Sequence, residues 1–145
     1  MKAVVQRVSQ AAVLVEGHEV ARIGTGMLVL LGVMADDDPD RGARLARRLA
    51  TLRFFPDDEG RMNRSILEVG GEAIVVSQVT LAADGKKGRR PSLDTAAPPE
   101  RARPLYEAFV EELRGLGVPT GTGTFGAHME VVLTNDGPVT FSLSL

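Results

Sequence analysis

The chain has 145 residues, a length that suits one domain and is short for two. Hydrophobic residues make up 43% of it and charged residues 25%, which is ordinary for a soluble globular domain and argues against a disordered or membrane-embedded chain. The lack of cysteine excludes a disulfide scaffold, Cys-ligated zinc and thiol catalysis, and a net charge of −2 gives no overall attraction for nucleic acid. We expect a soluble, cytoplasmic protein with a single domain over residues 1–145.

The first third of the chain predicts a hairpin, a central strand and a helix. Strand-like segments flank Glu16-Gly17-His18, a turn signal that predicts the hairpin. Residues 27–33 are apolar on both faces, as in a strand covered on both sides. Asp38 and Pro39, a preferred N-cap and first residue, begin a helix. We expect its buried stripe to comprise Leu45, Leu49 and Leu52, and its solvated face Arg41, Arg44 and Arg48.

The rest of the chain predicts one more strand, one more helix and three closing strands. Residues 73–81 are β-branched and bounded by glycine-containing turns, so they predict a strand. In the following helix, Pro104 requires either a start near Arg103 or a bend. The closing strands are expected at residues 120–125, 128–134 and 139–143. Because regular β-α alternation is missing, we predict an α+β fold (an α/β single domain) whose β-rich sheet or barrel-like core carries two principal helices.

Two patterns that resemble cofactor sites favour plainer interpretations. Residues 121–126 match the dinucleotide fingerprint GxGxxG, but a helix precedes them and a strand follows, which is the reverse of the required order. They predict a glycine-rich turn. His18 and His128 are far apart in sequence and predict surface or hydrogen-bonded side chains rather than a zinc site. We therefore expect neither a metal nor a cofactor.

A cluster of cations forms the most polar loop of the chain. Lys86, Lys87, Arg89 and Arg90 occupy four of five consecutive positions. This cluster is either a solvated charge run or a patch that contacts nucleic-acid phosphates, and composition alone leaves the two interpretations open.

Two further segments combine residue types in an unusual way. Residues 77–81 place Ser, Gln and Thr amid apolar neighbours; in a strand, one face would carry Ser77, Val79 and Leu81 and the other Gln78 and Thr80. A buried glutamine needs partners, so this face carries a polar network or opens into a pocket. Residues 135–140, Asn-Asp-Gly-Pro-Val-Thr, predict a hairpin turn between two strands, where the X-Pro bond is a place for a cis peptide.

Together these two segments resemble the D-aminoacyl-tRNA deacylase family, also called D-tyrosyl-tRNA deacylase, which carries SQ-aromatic-TL and N-x-GPVT motifs. The resemblance covers essentially the whole chain. It includes residues 6–8, 28–33, 60–63 and 90–92. It implies a homodimer with active sites at the subunit interface. The implied activity is cleavage of the ester between a D-amino acid and the 3′ end of tRNA, and in many members removal of glycine wrongly attached to tRNA.

The resemblance also implies roles for individual residues. Gly137-Pro138 would be a cis dipeptide that one subunit inserts into its partner's pocket, with carbonyls that exclude an L side chain, and Arg7 would hold it in place. The other implied substrate-binding residues are Ser77, Val79, Leu81, Phe125 and Met129. The chain departs from the family's usual pattern at three positions: Val79 replaces Phe, Thr124 replaces Arg and His128 replaces Asp.

An aminoacyl ester is already activated, so its hydrolysis needs positioning and charge stabilisation more than a strong nucleophile. Gln78 and Thr80 are the predicted catalytic residues, since backbone N–H groups near 78–81 can hold the oxyanion and Thr80 can orient water or attack. Without an adjacent base Thr80 is a weak nucleophile, which favours backbone stabilisation assisted by the terminal 2′-hydroxyl of tRNA. The alternatives are a non-catalytic tRNA- or RNA-binding module and a non-chiral hydrolase.

Overall fold

The computed structural model describes residues 1–85 and 88–145. Within these residues, the α-helices are α1 (Pro39–Thr51) and α2 (Pro99–Gly115). The strands of the described residues are β1 (Lys2–Val15), β2 (His18–Ile23), β3 (Gly26–Gly32), β4 (Phe55–Pro56), β5 (Met62–Arg64), β6 (Glu72–Ser77), β7 (Thr120–Thr122) and β8 (Glu130–Ser144). A 3-10 helix covers Val79–Ala82. Neither α1 nor α2 is long and apolar enough to cross a bilayer.

Strand β1 organises the sheet. Along one edge its first half pairs antiparallel with β3 and its second half with β2, while β8 pairs with it along the other edge. Strands β6 and β7 extend the β3 side by parallel pairing, and β2 approaches both of them. The result is a nearly closed mixed sheet with two helices, which confirms the predicted α+β class.

The sheet has a hydrophobic cluster on each face. Met27, Val29 and Leu31 of β3 face the cluster beneath α1 and α2, and Leu28 faces the cluster enclosed by β1, β2 and β8. The predictions of a hairpin before β3 and of a strand covered on both faces are therefore confirmed.

Helix α1 begins as predicted, with the Asp38 side chain accepting a hydrogen bond from the Arg41 N–H over 2.8 Å. Arg41 itself was expected in solvent and is half-buried. Its guanidinium lies 3.3 Å from the fully buried carboxylate of Asp37, which also accepts the Met34 N–H over 2.7 Å and contacts the Met1 amine. A buried carboxylate is stable only with charged and polar partners. Arg41 is therefore half-buried beside Asp37 and does not lie on the solvated face of the helix.

Helix α2 begins before Pro104, so the first of the two predicted alternatives, a start near Arg103, is wrong. Pro98 is its N-cap and Pro99 its first residue, a position that tolerates the missing N–H. Pro104 lies within the helix and is exposed, and it has no N–H to donate to the first turn.

The end of the chain differs from the prediction as well. Strand β7 ends at Thr122, and the segments 128–134 and 139–143 belong to one strand, β8. Residues 135–140 are not a hairpin turn because β1 pairs with β8 on both sides of them, through Val8 with Asn135 and Gln6 with Thr140. One residue of β1 there faces four of β8, so the segment forms a bulge.

Tyr106 connects α2 to the sheet through a buried hydrogen bond, and the burial of its hydroxyl makes the stability of the protein fall at alkaline pH. Its hydroxyl donates to the Val75 carbonyl over 2.8 Å, and burial raises the pKa of Tyr106 to about 12. Because the unfolded tyrosine titrates at about 10, the stabilisation is complete below that pH and is lost as the pH rises towards 12. Between these values, we expect the free energy of unfolding to fall by about 2–3 kcal/mol more in the wild type than in Tyr106→Phe. Urea unfolding across this pH range measures the difference, and equal slopes would contradict the prediction.

Candidate functional site

A cavity of about 430 Å³ opens at the carboxyl ends of the parallel strands β3 and β6. This edge of a parallel sheet is a common place for ligands. The start of α2 and the segment between β7 and β8 bound the cavity, and its walls are mainly apolar. Five residues of the predicted site line it: Ser77, Gln78, Val79, Phe125 and Met129.

The segment after β6 turns out of the sheet instead of continuing the predicted strand. The Gln78 N–H still bonds to the Leu31 carbonyl over 2.8 Å, but the 3-10 helix begins at the next residue. The expected division of residues 77–81 between two strand faces is therefore wrong. Gly32 permits this turn, since a Cβ there would lie 2.8 Å from the Cβ of Leu81.

The turn changes the surroundings of the two predicted catalytic residues. The Gln78 side chain is half-buried on the cavity wall, and its Nε2 donates to Thr80 Oγ1. Thr80 is exposed, and neither it nor Leu81 is among the lining residues. The N–H groups of Val79 and Thr80 begin the 3-10 helix, so its i→i+3 bonds leave them available to a ligand.

Glycines shape the opposite wall. Residues 121 and 122 end strand β7, and residues 123–126 belong to the turn that leads to β8. A strand follows this turn where a dinucleotide fingerprint requires a helix. A Cβ on Gly123 would lie 2.5 Å from the Sδ of Met129, so only glycine at this position leaves room for the Met129 side chain. The Phe125 ring packs against Tyr106, with the centroids 5.7 Å apart, and Arg103 lies over it at 5.9 Å.

His128 is a lining residue that sequence reasoning missed. It is exposed at the cavity, and among the described lining residues it alone has an ionisable side chain. Its position in the sequence between Phe125 and Met129, both predicted to bind substrate, could have indicated that it lines the cavity. His18, by contrast, lies exposed at the start of β2. The described residues contain no group of three His, Asp or Glu side chains placed to hold a metal ion.

The bulge at Gly137-Pro138 lies outside the cavity of its own chain. The peptide bond between these two residues is cis, and both are exposed. Arg7 contacts the bulge from β1: its Nε donates to the Asp136 carbonyl over 2.9 Å, and its Nη1 donates to the Phe54 carbonyl over 2.7 Å. With 11% of its side chain exposed, Arg7 links the bulge to the chain that follows α1.

The predicted basic loop begins close to the cavity. Lys86 and Lys87 lie outside the described residues; Arg89 and Arg90 are described and exposed. Paired backbone hydrogen bonds of 2.9 and 3.1 Å join Asp84 and Ser92, which closes the base of this loop directly after the 3-10 helix.

The chain is similar to known proteins over nearly its whole length. The family model described as D-Tyr-tRNA(Tyr) deacylase matches residues 4–144. Proteins named D-aminoacyl-tRNA deacylase from Roseiflexus castenholzii and Thermomicrobium roseum are each 57% identical over 143 residues, covering 99% of this chain and 91% and 93% of theirs. A solved structure described as c-Myc DNA Unwinding Element Binding Protein is 40% identical, with a TM-score of 0.95 and coverage of 100% of this chain and 99% of that chain. A probable eukaryotic D-amino acid tRNA deacylase, 16% identical, has a TM-score of 0.85 and coverage of 98% and 97%, and shows the fold alone.

Proposed function

Because the chain belongs to the D-Tyr-tRNA(Tyr) deacylase family, we propose that it hydrolyses the ester between a D-amino acid and the 3′ end of tRNA, releasing free D-amino acid and tRNA. The observation that carries this proposal is the meeting of residues 77–79 and 125–129 at one cavity, in a chain 57% identical to named deacylases. Its place of action would be the cytoplasm, where charged tRNA is used.

The cavity walls suit the terminal adenosine. Phe125 and Met129 offer an aromatic face and a polarisable thioether to a nucleobase, and Val33, Val76 and Ala102 add apolar surface. Ser77 and Gln78 supply the polar groups that orient the aminoacyl ester. Val79, 48% exposed at the rim, leaves more room than the larger Phe usual in the family.

Hydrolysis would proceed by attack of water on the ester carbonyl carbon, with the terminal ribose oxygen as the leaving group. The developing oxyanion would accept hydrogen bonds from the N–H groups of Val79 and Thr80. Gln78 donates to the Thr80 hydroxyl, and an amide N–H cannot take the proton that a nucleophilic hydroxyl must lose. This contact favours backbone stabilisation, with the terminal 2′-hydroxyl of tRNA activating water, over attack by Thr80.

Chirality would be read by a second copy of the chain. Since Gly137-Pro138 is exposed and distant along β8 from the cavity-lining Met129, we propose a homodimer in which this bulge enters the partner's pocket. Its backbone carbonyls would lie against the substrate α-carbon and exclude an L side chain. Glycine has no side chain to exclude, so glycyl-tRNA would also be hydrolysed.

The basic loop would contact the phosphates of tRNA. Replacing Lys86, Lys87, Arg89 and Arg90 with Gln is expected to raise KM and to reduce the slope of log KM against log salt by about 3, because each lost phosphate contact removes about 0.7–0.9. Deacylation kinetics at several salt concentrations measure the slope. The double variant Arg44→Gln/Arg48→Gln on α1 is the control for a general charge effect. An unchanged slope in the quadruple variant would indicate that the loop is a solvated charge run without phosphate contacts.

One assay separates the proposed activity from its alternatives. The protein is incubated with D-Tyr-tRNA, L-Tyr-tRNA and glycyl-tRNA, and the ester remaining is followed over time. Turnover of the D form and glycine, with the L form intact, supports the proposal. Release of all three indicates a non-chiral hydrolase. Binding without turnover indicates a nucleic-acid-binding module. The 40%-identical structure carries a name of this kind, since it is called a DNA unwinding element binding protein.

A further inference from the structure

The base of the β8 bulge is closed by one side chain, Asn135. Its Oδ1 accepts the Val139 N–H over 2.8 Å, and its Nδ2 donates to the Val139 carbonyl over 3.3 Å and to Thr140 Oγ1 over 3.1 Å. The carboxamide thus engages both backbone groups of one residue, as two residues do in a closely spaced antiparallel pair. Residues 136–138 form a small loop whose two ends are joined by this side chain.

Neighbouring residues of β1 hold the same loop from the other side. Gln6 Nε2 donates to Thr140 Oγ1 over 3.3 Å, the same hydroxyl that Asn135 contacts. Arg7 donates to the Asp136 carbonyl at the loop's start. Asn135 joins these two contacts into one network, because it lies immediately before Asp136 and bonds to Val139 and Thr140 beyond the loop.

We propose that Asn135 is a positioning residue that fixes the direction in which Gly137-Pro138 projects; this inference rests on the proposed function. Four residues of β8 face one of β1 here, so the β1–β8 ladder alone leaves the loop's orientation undetermined. An amide is the side chain that offers an acceptor and a donor at this reach, matching the N–H and C=O of Val139. Aspartate keeps the acceptor and loses the donor, and alanine loses both.

The test compares Asn135→Ala, Asn135→Asp and Thr140→Val with the wild type in deacylation of D-Tyr-tRNA and L-Tyr-tRNA. Asn135→Ala is expected to lower kcat about 100-fold, since misplacement of about 1 Å costs this much, and to narrow the preference for the D form. The kcat of Asn135→Asp is expected to lie between that of Asn135→Ala and that of the wild type. Thr140→Val is expected to lower kcat and to change KM little. Thermal unfolding reports whether each variant is folded.

The chain offers a matched control on the same two strands. Gln10 Nε2 donates to Thr134 Oγ1 over 3.4 Å, the same pair of residue types as Gln6 and Thr140, but the Asn135 carboxamide bonds to the Thr140 hydroxyl and not to that of Thr134. Thr134→Val should therefore leave kcat and the D preference at wild-type values, while Thr140→Val changes them.

The outcomes distinguish a failure of the proposed function from a failure of the positioning role of Asn135. A wild type that leaves D-Tyr-tRNA intact overturns the proposed function. If the wild type is active and folded Asn135→Ala keeps the wild-type kcat and the wild-type preference for D-Tyr-tRNA, the positioning role is overturned. Activity that falls only in proportion to the folded fraction also overturns it. Where Asn135→Ala fails to fold, Asn135→Asp decides: a folded variant with lowered kcat and weakened D preference supports the role, and an unaltered one refutes it.

Discussion

Gly137→Ala is expected to lower kcat/KM for D-Tyr-tRNA by about 100-fold, since displacement of positioned groups by about 1 Å costs a rate factor of this size. A Cβ on Gly137 would lie 2.3 Å from the Val139 backbone N and 2.7 Å from Val139 Cγ2. Neither distance is tolerable for a carbon atom, and Val139 N is held by Asn135. The bulge must therefore move, and the carbonyls proposed to read chirality move with it.

Two variants make this result interpretable. Gly24→Ala adds the same methyl group where no atom beyond its two chain neighbours lies within 4 Å, so it should match the wild type. Thr80→Ala should lower the rate and keep the preference for the D form, because the backbone donors remain. Deacylation of D-Tyr-tRNA and L-Tyr-tRNA by each variant provides the measurement. Full activity and discrimination in Gly137→Ala would remove the bulge from the mechanism, and complete inactivity of folded Thr80→Ala would make its hydroxyl the nucleophile.

Mixing two variants that are each strongly impaired is expected to restore activity. Ala127→Trp fills the cavity from the turn between β7 and β8, and Gly137→Ala displaces the bulge. If each site combines the cavity of one subunit with the bulge of the other, a mixed dimer has one site with both parts intact. In an equal mixture with random exchange, about a quarter of the wild-type number of sites is regained.

The measurement is the rate of D-Tyr-tRNA deacylation after the two variants are unfolded together and refolded. The same variants refolded apart and then combined at once serve as the control, and sedimentation establishes whether dimers form. A mixture no more active than its components, with exchange shown by differently tagged subunits, contradicts a shared site. A fully active monomer contradicts it as well.

The local elements of this protein follow from short stretches of sequence. Glu16-Gly17 produces the first hairpin, Asp38-Pro39 begins α1, and the unbroken apolar run at 27–33 becomes a strand covered on both faces. In each case the deciding interactions join residues a few positions apart, or depend only on whether side chains are apolar. Such preferences can be predicted without knowledge of the rest of the chain.

The segments that build the candidate site required the tertiary structure. Residues 135–140 have the composition of a hairpin turn. However, β1 pairs with β8 on both sides of the bulge, so β8 continues as one strand. Residues 77–81 have the composition of a strand, but β6 ends at Ser77, and Gly32 of the neighbouring strand leaves the space that Leu81 occupies after the turn. His128 lines the cavity only because the glycine-rich turn brings it to the ends of β3 and β6. Local sequence patterns therefore predicted the first hairpin, β3, the start of α1 and the motif residues. Long-range strand pairing and close packing established which of those residues meet, since contacts between distant parts of the chain outweigh the weak conformational preferences of a turn or a short strand.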